Sequence, residues 1–311
     1  MNKKPRHLIS IYDLSEREIE KIISLAFKLK KDRKMLNSAL KGKTLGMIFE
    51  KPSTRTMTSF AAGMLQLGGN PIILNSQNLQ ISRGETIHDT ALVFSAYLDA
   101  LMIRAFSHLT VKEFAKYSSI PVINGLTDEE HPCQILGDIM TIMEMFKIKN
   151  FSALKKLKIV FCGDGNNVVN SLMAVSALLG LQFTILSPAQ YFPKKDLIER
   201  ARQYFVKTGV QINISDKIKD IENADVVYTD VWTSMGFEKE EKKRKNAFKP
   251  YQVNENLLKK AANSAIVLHC LPAKRGEEIT EEIMRKYERP IFTQAENRLH
   301  IQKSILSFLL K

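Results

Sequence analysis

The stretch TLGMIFEKPSTRT, residues 44–56, joins an apolar run to a polar turn and decides which fold the sequence predicts. Its first six residues are typical of a buried strand. From Thr58 onward, apolar residues recur at helical spacing until a glycine pair ends the pattern. The tetrapeptide STRT, residues 53–56, is therefore predicted to follow a strand and to open a helix.

Such a helix N-terminus can bind an anion. Its first backbone N–H groups have no partner within the helix, and the helix dipole is positive at this end. The hydroxyls of Ser53, Thr54 and Thr56 add donors, and the planar guanidinium of Arg55 can bind two phosphate oxygens. The alternative is that Ser53 or Thr54 only caps the helix while Arg55 is a solvated surface residue. The segment thus indicates a phosphate site or a simple cap.

The composition predicts a protein with two domains and no membrane span. A chain of 311 residues exceeds one comfortable core, so two domains of about 150 residues are expected. No apolar run approaches the ~20 residues that span a bilayer, and the basic start MNKKPR lacks the apolar segment of a signal peptide. The cysteines Cys133, Cys162 and Cys270 form no C-x-x-C pair, which fits a reducing compartment without structural zinc. We therefore expect a soluble, cytoplasmic protein.

The net charge of +13 raises the alternative of a nucleic-acid partner. Most lysines are dispersed, however, and the sequence contains no compact basic and aromatic recognition module. The mixed-charge patch at residues 238–245 is typical of a mobile loop or of a solvated helix start. We assign most of the excess charge to the solvated surface and a smaller part to anionic substrates, and we expect no nucleic-acid partner.

Apolar segments alternate with helical patterns along the chain, and the periodicity is lost near residue 150. Strands are predicted near residues 44–49, 71–74, 100–104, 121–123, 158–162, 183–187, 211–214, 226–229, 265–269 and 290–293. The alternation predicts an α/β fold with two doubly wound parallel-sheet domains of similar size. We expect domains at residues 1–149 and 150–311, with a last helix at about 295–310 that packs back on the first domain.

The second domain opens with GDGNNV, residues 163–168, directly after a predicted strand. The spacing superficially resembles a dinucleotide-binding fingerprint, but the third glycine is missing. The motif is therefore only a weak indication of a nucleotide.

Four further segments lie at strand ends or helix starts, where open α/β sheets place their ligands. HPCQ, residues 131–134, sets His131 and Gln134 at a helix start, where they can polarise a carbonyl group and bind its amide. A lone histidine is more often a structural residue, and this alternative stays open. Arg104 ends an apolar strand, where it can neutralise a phosphate or merely reach solvent.

The other two segments follow strands of the predicted second domain. Asp230 begins DVWTSMG, residues 230–236, and can bind a cationic amine or simply cap a loop. Cys270 lies in HCLPA, residues 269–273, and can make a polar contact or serve as a small buried apolar residue.

Five ordered motifs, FEKPSTRT, HPCQ, DVWTSMG, HCLPA and AENR at residues 295–298, together resemble those of the aspartate/ornithine transcarbamoylases. The resemblance runs from about residue 8 to residue 308. SMG and HCLP resemble the ornithine branch, since the aspartate branch has PLP where this chain has residues 270–272. The resemblance implies that the first domain binds carbamoyl phosphate, that the second binds ornithine, and that subunits form trimers or multiples of trimers.

The resemblance also implies the residues of the site. Carbamoyl phosphate is expected to bind Ser53, Thr54, Arg55, Thr56, Gln80, Arg104, His131, Gln134, Cys270, Leu271 and Arg298, with Gln80 serving a neighbouring subunit. Ornithine is expected to bind Asn167, Asp230, Ser234 and Met235. Catalytic roles are implied for Arg55, His131, Asp230, Cys270 and Arg298. Neither a metal nor an organic cofactor is implied.

The implied reaction is attack of the deprotonated ornithine amine on the carbamoyl carbon, giving citrulline and phosphate. The alternatives are another amine acceptor, such as putrescine or acetylated ornithine, and a non-catalytic relative. Met57 and Ala61 stand where family members usually carry arginine and glutamate, and Lys274 stands where histidine is common. Joint replacement of a charge pair can preserve packing, whereas the effect of Met57 on carbamoyl phosphate affinity stays open.

Overall fold

The computed structural model describes residues 4–234 and 238–311 and divides the chain into two compact units. Unit 1 contains the residues up to Gly137 together with Glu296–Lys311, and unit 2 contains Asp138–Ala295. Each unit has its own parallel sheet and its own apolar core. Within the described ranges, no helix combines the length and the apolar character that crossing a membrane requires.

The sheet of unit 1 is built from four parallel strands. They are β1 (Thr44–Phe49), β2 (Asn70–Asn75), β3 (Ala100–Arg104) and β4 (Val122–Leu126). Their order is β2-β1-β3-β4, so that β1 and β3 are central and buried while β2 is a largely exposed edge. The connections from β1 to β2 and from β3 to β4 run in opposite directions. The carboxyl ends of β1 and β3 therefore border the crevice where open α/β sheets bind ligands.

The sheet of unit 2 repeats this plan with five parallel strands. They are β5 (Lys158–Cys162), β6 (Gln182–Leu186), β7 (Asn213–Ser215), β8 (Val226–Thr229) and β9 (Ile266–His269). Their order is β7-β6-β5-β8-β9, and the direction of winding reverses between β5 and β8. Buried aliphatic residues line both central strands, as expected for a sheet that is covered on both faces. The reversal places the ligand crevice of this unit at the carboxyl ends of β5 and β8.

Helices cover the two sheets and connect their strands. The described helices are α1 (Glu16–Lys31), α2 (Thr54–Gln66), α3 (Ile87–Tyr97), α4 (His108–Tyr117), α5 (Pro132–Met145), α6 (Phe151–Leu154), α7 (Asn167–Leu179), α8 (Lys195–Thr208), α9 (Glu241–Phe248), α10 (Glu255–Leu258), α11 (Glu281–Lys286) and α12 (Glu288–Leu310). A capping box of Ser15 and Glu18 opens α1, as expected from an S-x-x-E sequence.

The predicted α/β class with two doubly wound parallel sheets is confirmed. Nine of the ten predicted strands are present, and the strand predicted at residues 290–293 is wrong because this segment lies in α12. Its short apolar run cannot be told from a buried helical segment by periodicity alone. The later part of α12 packs on unit 1, where Ser304 Oγ donates to the carbonyl oxygen of Ile22 at 2.7 Å.

Candidate active site

The STRT tetrapeptide opens α2 directly after β1, and its first hydroxyl does not cap the helix. Ser53 is the N-cap residue and has extended backbone angles. Within the described chain, the Ser53 side chain makes no capping hydrogen bond to the helix. The first N–H groups of α2 therefore lie at the positive end of the helix dipole with no serine cap, which favours an anion site over the capping alternative.

The hydroxyl of Thr56 lies between two buried guanidinium groups of unit 1. Arg298 Nη2, from α12, donates to Thr56 Oγ1 at 2.7 Å, and Arg104 Nη1, from the end of β3, donates at 3.4 Å. Arg298 is 4% exposed and Arg104 is 8% exposed. Two cations held this deep in the protein create a local positive potential that suits a phosphorylated ligand.

The turn between β1 and α2 is fixed to the end of β3 through Glu50. Its backbone N–H donates to the carbonyl oxygen of Arg104 at 2.9 Å, and its Oε2 accepts from the backbone N–H of Phe106 at 2.7 Å. The Nζ of Lys51 lies 4.2 Å from the centre of the Phe106 ring. Burial, and next the charge of Arg104, lower the pKa of Lys51. A third cation therefore stands beside the turn that carries STRT.

HPCQ forms the start of α5, and both of its predicted site residues are buried. Burial, followed by the charges of Arg298 and Arg104, holds the pKa of His131 well below its ordinary value of 6.5. The imidazole is therefore neutral near pH 7 and can donate a hydrogen bond to a carbonyl group without adding positive charge. Gln134 lies in the first turn of the same helix, where its amide is buried.

Gln80 and Arg55 differ from this buried set in their exposure. Gln80 begins a short 3-10 turn, Gln80–Arg83, after the edge strand β2, and it is exposed. Arg55 is the second residue of α2 and is half-buried. The position of Gln80 on an exposed segment leaves it accessible to another molecule, and Arg55 can reach a ligand at the helix terminus.

In unit 2, the carboxylate of Asp230 is held from three sides at the carboxyl end of β8. Asp230 Oδ1 accepts from the Sγ of Cys270 at 3.0 Å and from the backbone N–H of Val231 at 2.8 Å. Asp230 Oδ2 accepts from Asn166 Nδ2 at 2.7 Å. The carboxylate is 7% exposed and has a fixed orientation, which suits the binding of a cationic amine.

The HCLP segment after β9 is held by a buried histidine and a buried glutamate. The backbone N–H of Leu271 donates to His269 Nδ1 at 2.9 Å, so this nitrogen is the acceptor and Nε2 carries the proton. His269 Nε2 lies 3.0 Å from Glu278 Oε1, which also accepts from the backbone N–H of Lys274 at 2.6 Å. Leu271 itself has a left-handed backbone with φ of 58°. The Cys270 loop is therefore fixed from within unit 2.

These contacts also limit metal binding at this position. Asp230, His269 and Cys270 offer possible ligand atoms within 4.8 Å of one another. Both ring nitrogens of His269 already have hydrogen-bond partners, Leu271 and Glu278. A metal ion could bind His269 only by breaking one of these bonds.

The glycine-rich turn after β5 packs closely against residues 191–193. A Cβ added at Gly165 would lie 2.5 Å from the backbone nitrogen of Pro193 and 2.6 Å from the carbonyl oxygen of Tyr191. Asn166 caps α7 by accepting from the backbone N–H groups of Val168 and Val169. The absence of a side chain at Gly165 allows residues 191–193 to approach the turn closely.

Asn167 and Ser234, two further residues predicted to bind the acceptor, follow β5 and β8 in the chain. Asn167 is the first residue of α7 and is half-buried, and Ser234 is half-buried in the loop after β8. Met235 lies outside the described residues. The sequence did not indicate Asn166, although it is this asparagine that contacts Asp230. The adjacent asparagines in GDGNNV were the available signal, because a helix cap and a site residue can be neighbours.

Met57 and Ala61 lie one turn apart in α2 and are both half-buried. A pair at this spacing shares one helix face, so the arginine and glutamate that the resemblance leads us to expect could pair there. An apolar pair can occupy the same face without leaving an isolated charge.

The fold places the chain among the α/β proteins with two parallel sheets, each with polar side chains at the carboxyl ends of its central strands. Residues 6–144 match the family description "Aspartate/ornithine carbamoyltransferase, carbamoyl-P binding domain". Residues 155–309 match "Aspartate/ornithine carbamoyltransferase, Asp/Orn binding domain". The chain belongs to the aspartate/ornithine carbamoyltransferase family.

Individual relatives resemble the chain over nearly its whole length. An ornithine carbamoyltransferase from Methanosarcina acetivorans is 49% identical over 309 residues, which cover 98% of this chain and 99% of the relative. The solved ornithine carbamoyltransferase from Pyrococcus furiosus has a TM-score of 0.92 at 43% identity and covers 100% of this chain and 98% of that chain. A solved N-acetyl-L-ornithine transcarbamylase has a TM-score of 0.86 at 29% identity and covers 97% of this chain and 99% of that chain.

Proposed function

We propose that this protein transfers the carbamoyl group of carbamoyl phosphate to the side-chain amine of L-ornithine, giving L-citrulline and phosphate. One observation carries the acceptor side: the buried Asp230 carboxylate is oriented by Cys270 and Asn166, which suits a cationic amino acid. The greater identity to ornithine carbamoyltransferases than to an N-acetyl-L-ornithine enzyme supports ornithine over its acetylated form.

Most residues of the proposed carbamoyl-phosphate site belong to unit 1, whereas Cys270 and Leu271 belong to unit 2. The phosphate is assigned to Ser53, Thr54, Arg55, Thr56 and Arg104, and the carbamoyl group to His131, Gln134, Arg298, Cys270 and Leu271. The uncapped start of α2 and the buried guanidinium groups beside Thr56 support the phosphate assignment. A neutral His131 supports the carbamoyl assignment, because it can donate to the carbonyl oxygen. We propose residues 1–149 as the carbamoyl-phosphate domain, with α12 packing on it.

Residues 150–311 are the proposed ornithine domain. The acceptor is assigned to Asn167, Asp230, Ser234 and Met235, with Cys270 beside the reacting amine. Attack of the deprotonated amine on the carbamoyl carbon creates an oxyanion, and we assign its stabilisation to His131, Arg298, Arg55 and Thr56. The bond between the carbamoyl carbon and the phosphate oxygen then breaks. The leaving phosphate can accept the proton that the attacking amine gives up. Holding two substrates in line can lower a barrier by roughly 7–11 kcal/mol, so no protein nucleophile is required.

We also propose that the protein acts as a homotrimer or a multiple of trimers. Unit 1 exposes apolar side chains on the edge strand β2 and on α3, namely Ile72, Ile73, Leu92, Val93 and Tyr97. An exposed edge with apolar residues is a surface for association with a second copy. Exposed Gln80, which follows β2, would then reach a neighbouring site.

Light scattering on the purified protein tests this assembly. Ile73→Lys in β2 should reduce the mass of the assembly, whereas Val206→Lys, at an exposed position of α8, should not. Equal masses for both variants and the wild type would contradict an interface at β2.

We further propose a cytoplasmic location and a role in arginine metabolism, supported by the free thiols of Cys133, Cys162 and Cys270 and by the product citrulline.

Citrulline formation from carbamoyl phosphate and ornithine is the decisive assay, with putrescine, N-acetylornithine and aspartate tested in parallel. We expect turnover with ornithine that is nearly abolished in Arg55→Ala. Turnover with another amine only would contradict the proposed acceptor. If no amine is carbamoylated, calorimetric binding of carbamoyl phosphate to wild type and to Met57→Arg/Ala61→Glu shows whether the substituted pair is responsible.

A further inference from the structure

The mixed-charge patch at residues 238–245 contains one residue that departs from the expected solvated helix start. Arg244, in the middle of α9, is only 6% exposed and shares the buried face of this helix with Phe248. Lys243, its neighbour in the sequence, is exposed. A long cation is rarely buried to this extent without specific partners.

The Arg244 guanidinium contacts loops at the carboxyl ends of two adjacent strands. Its Nη1 lies 2.8 Å from Asp164 Oδ2, after β5, and donates to the carbonyl oxygen of Trp232, after β8, at 3.2 Å. Its Nε donates to Glu240 Oε2 at 3.0 Å, and its Cζ lies 4.8 Å from the centre of the Tyr191 ring. The guanidinium thus connects the two loops with a fixed geometry.

The same loops carry the residues assigned to the amine of ornithine. Asp164 lies two residues before Asn166, and Trp232 lies two residues after Asp230. The Asn166 Nδ2 donates to Asp230 Oδ2 across the gap between the loops at 2.7 Å. Any change in the spacing of the loops therefore changes the orientation of the carboxylate.

We propose that Arg244 is a positioning residue for the acceptor site, which clamps the loop after β8 to the loop after β5 and thereby orients Asp230 toward the ornithine amine. This inference rests on the proposed function of Asp230. The role requires arginine, because only a planar guanidinium can serve a carboxylate, a carbonyl oxygen and an aromatic face together. The compact ammonium of lysine would serve fewer of these partners.

The carboxylate partner of Arg244 supports a functional role over a purely structural one. Burial raises the pKa of Asp164 to about 6, the nearby Asp230 carboxylate adds to the rise, and Arg244 only partly offsets it. Ionised Asp164 is therefore costly to the fold, and buried ion pairs are weak sources of stability. Groups with such perturbed pKa values are frequent at functional sites.

Steady-state kinetics of five proteins test the clamp: wild type, Arg244→Gln, Asp164→Asn, the double variant of these two changes, and the control Lys243→Gln. Arg244→Gln and Lys243→Gln remove the same charge from adjacent residues of α9. We expect the KM for ornithine to rise about tenfold in Arg244→Gln, the effect of losing one charge-assisted hydrogen bond. The dissociation constant of carbamoyl phosphate, measured without ornithine, should stay within twofold. Asp164→Asn should raise the same KM, and the double variant should not add the two effects.

Trp232 supplies a readout that does not depend on activity. It is the single tryptophan of the chain and is buried, so a loosened loop should shift its emission to longer wavelength. We expect this shift in substrate-free Arg244→Gln and not in Lys243→Gln. If the wild type makes no citrulline, the proposed function is lost while the emission still tests the clamp. An unchanged KM for ornithine, additive effects in the double variant, or unshifted emission would overturn the inference. Should Arg244→Gln fail to fold, the isosteric Asp164→Asn decides by the same criteria.

Discussion

Replacing Glu278 should destabilise the Cys270 loop, and the size of the effect follows from its contacts. Glu278 is fully buried, and its Oε1 accepts from His269 Nε2 at 3.0 Å and from the backbone N–H of Lys274 at 2.6 Å. A hydrogen bond to a charged group contributes about 1.5–3 kcal/mol. Glu278→Ala removes two such bonds and leaves both donors buried, so it should lower the free energy of unfolding by about 3–6 kcal/mol. Glu278→Gln keeps an acceptor but loses the charge, and about half this cost is expected.

The same change should weaken substrate binding through His269. This histidine accepts from the backbone N–H of Leu271, and its ring is oriented by Glu278. Without the carboxylate, the ring can adopt the other tautomer and lose its bond to Leu271. The KM for ornithine should therefore rise in the order wild type, Glu278→Gln, Glu278→Ala.

Urea unfolding followed by the fluorescence of Trp232 measures the stability of unit 2, which contains both residues. Glu277→Ala is the matched control, because Glu277 forms a partly exposed ion pair with Lys245 at 3.0 Å. Such a pair contributes about 0–1 kcal/mol. If Glu278→Ala unfolded at the same urea concentration as Glu277→Ala and kept the wild-type KM for ornithine, the argument from the two hydrogen bonds would be refuted.

Three further predictions concern single groups of the site. Thr56→Val removes the hydroxyl that Arg298 and Arg104 contact and should lower kcat/KM for carbamoyl phosphate by about 10- to 100-fold; Thr58→Val, at an exposed position of α2, should not, and equal losses would count against the cluster. Burial, and next the charges of Arg298 and Arg104, hold the pKa of His131 well below 6.5, so the KM for carbamoyl phosphate should not change with pH near or above 6.5 through this residue. A pH dependence in this range that disappears in His131→Gln would contradict the neutral imidazole. Burial raises the pKa of Asp164 from 3.8 to about 6, so this group contributes most to stability below pH 3.8 and its contribution falls as the pH rises through 6. Relative to Asp164→Asn, the free energy of unfolding of the wild type, measured with urea, should fall by up to about 3 kcal/mol between pH 4 and pH 7. A rise over this range would contradict a raised pKa of Asp164.

Much of the fold was predictable because its signals are local. A short apolar run predicts the strand at residues 44–49, and helical spacing predicts the helix that begins at STRT. The structure contains both elements. The strand predicted at residues 290–293 is wrong for the same reason, since the short run PIFT fits a strand or a turn of buried helix. The choice is made by tertiary packing, where Ile291 joins the core of unit 2.

The sequence likewise indicated the motif residues of the candidate site but not the side chains that hold those motifs in position. STRT, HPCQ and HCLP mark the polar side chains at strand ends, which chain order alone can indicate. The roles of Arg244 and Glu50 could not be found in this way, because each acts through a contact with residues distant in the sequence. Glu278 contacts nearby residues, but no motif marks it. An arginine within a run of lysines and glutamates has no local signal that distinguishes it from a solvated charge.

The residues that fix the site loops but belong to no motif share one physical feature, namely a buried charged side chain bonded to a loop. Loops lack the regular hydrogen bonds of helices and strands, so their geometry must be fixed by side chains. In unit 2, the buried charges of Glu278, Arg244 and Asp230 each bond to backbone groups or side chains of a loop at the carboxyl end of the sheet. A buried charge is costly unless its partners stay in place, and the same cost penalises any loop arrangement in which those partners move away. The orientation of the Asp230 carboxylate is therefore maintained by buried polar contacts rather than by the regular hydrogen bonds of helices and strands.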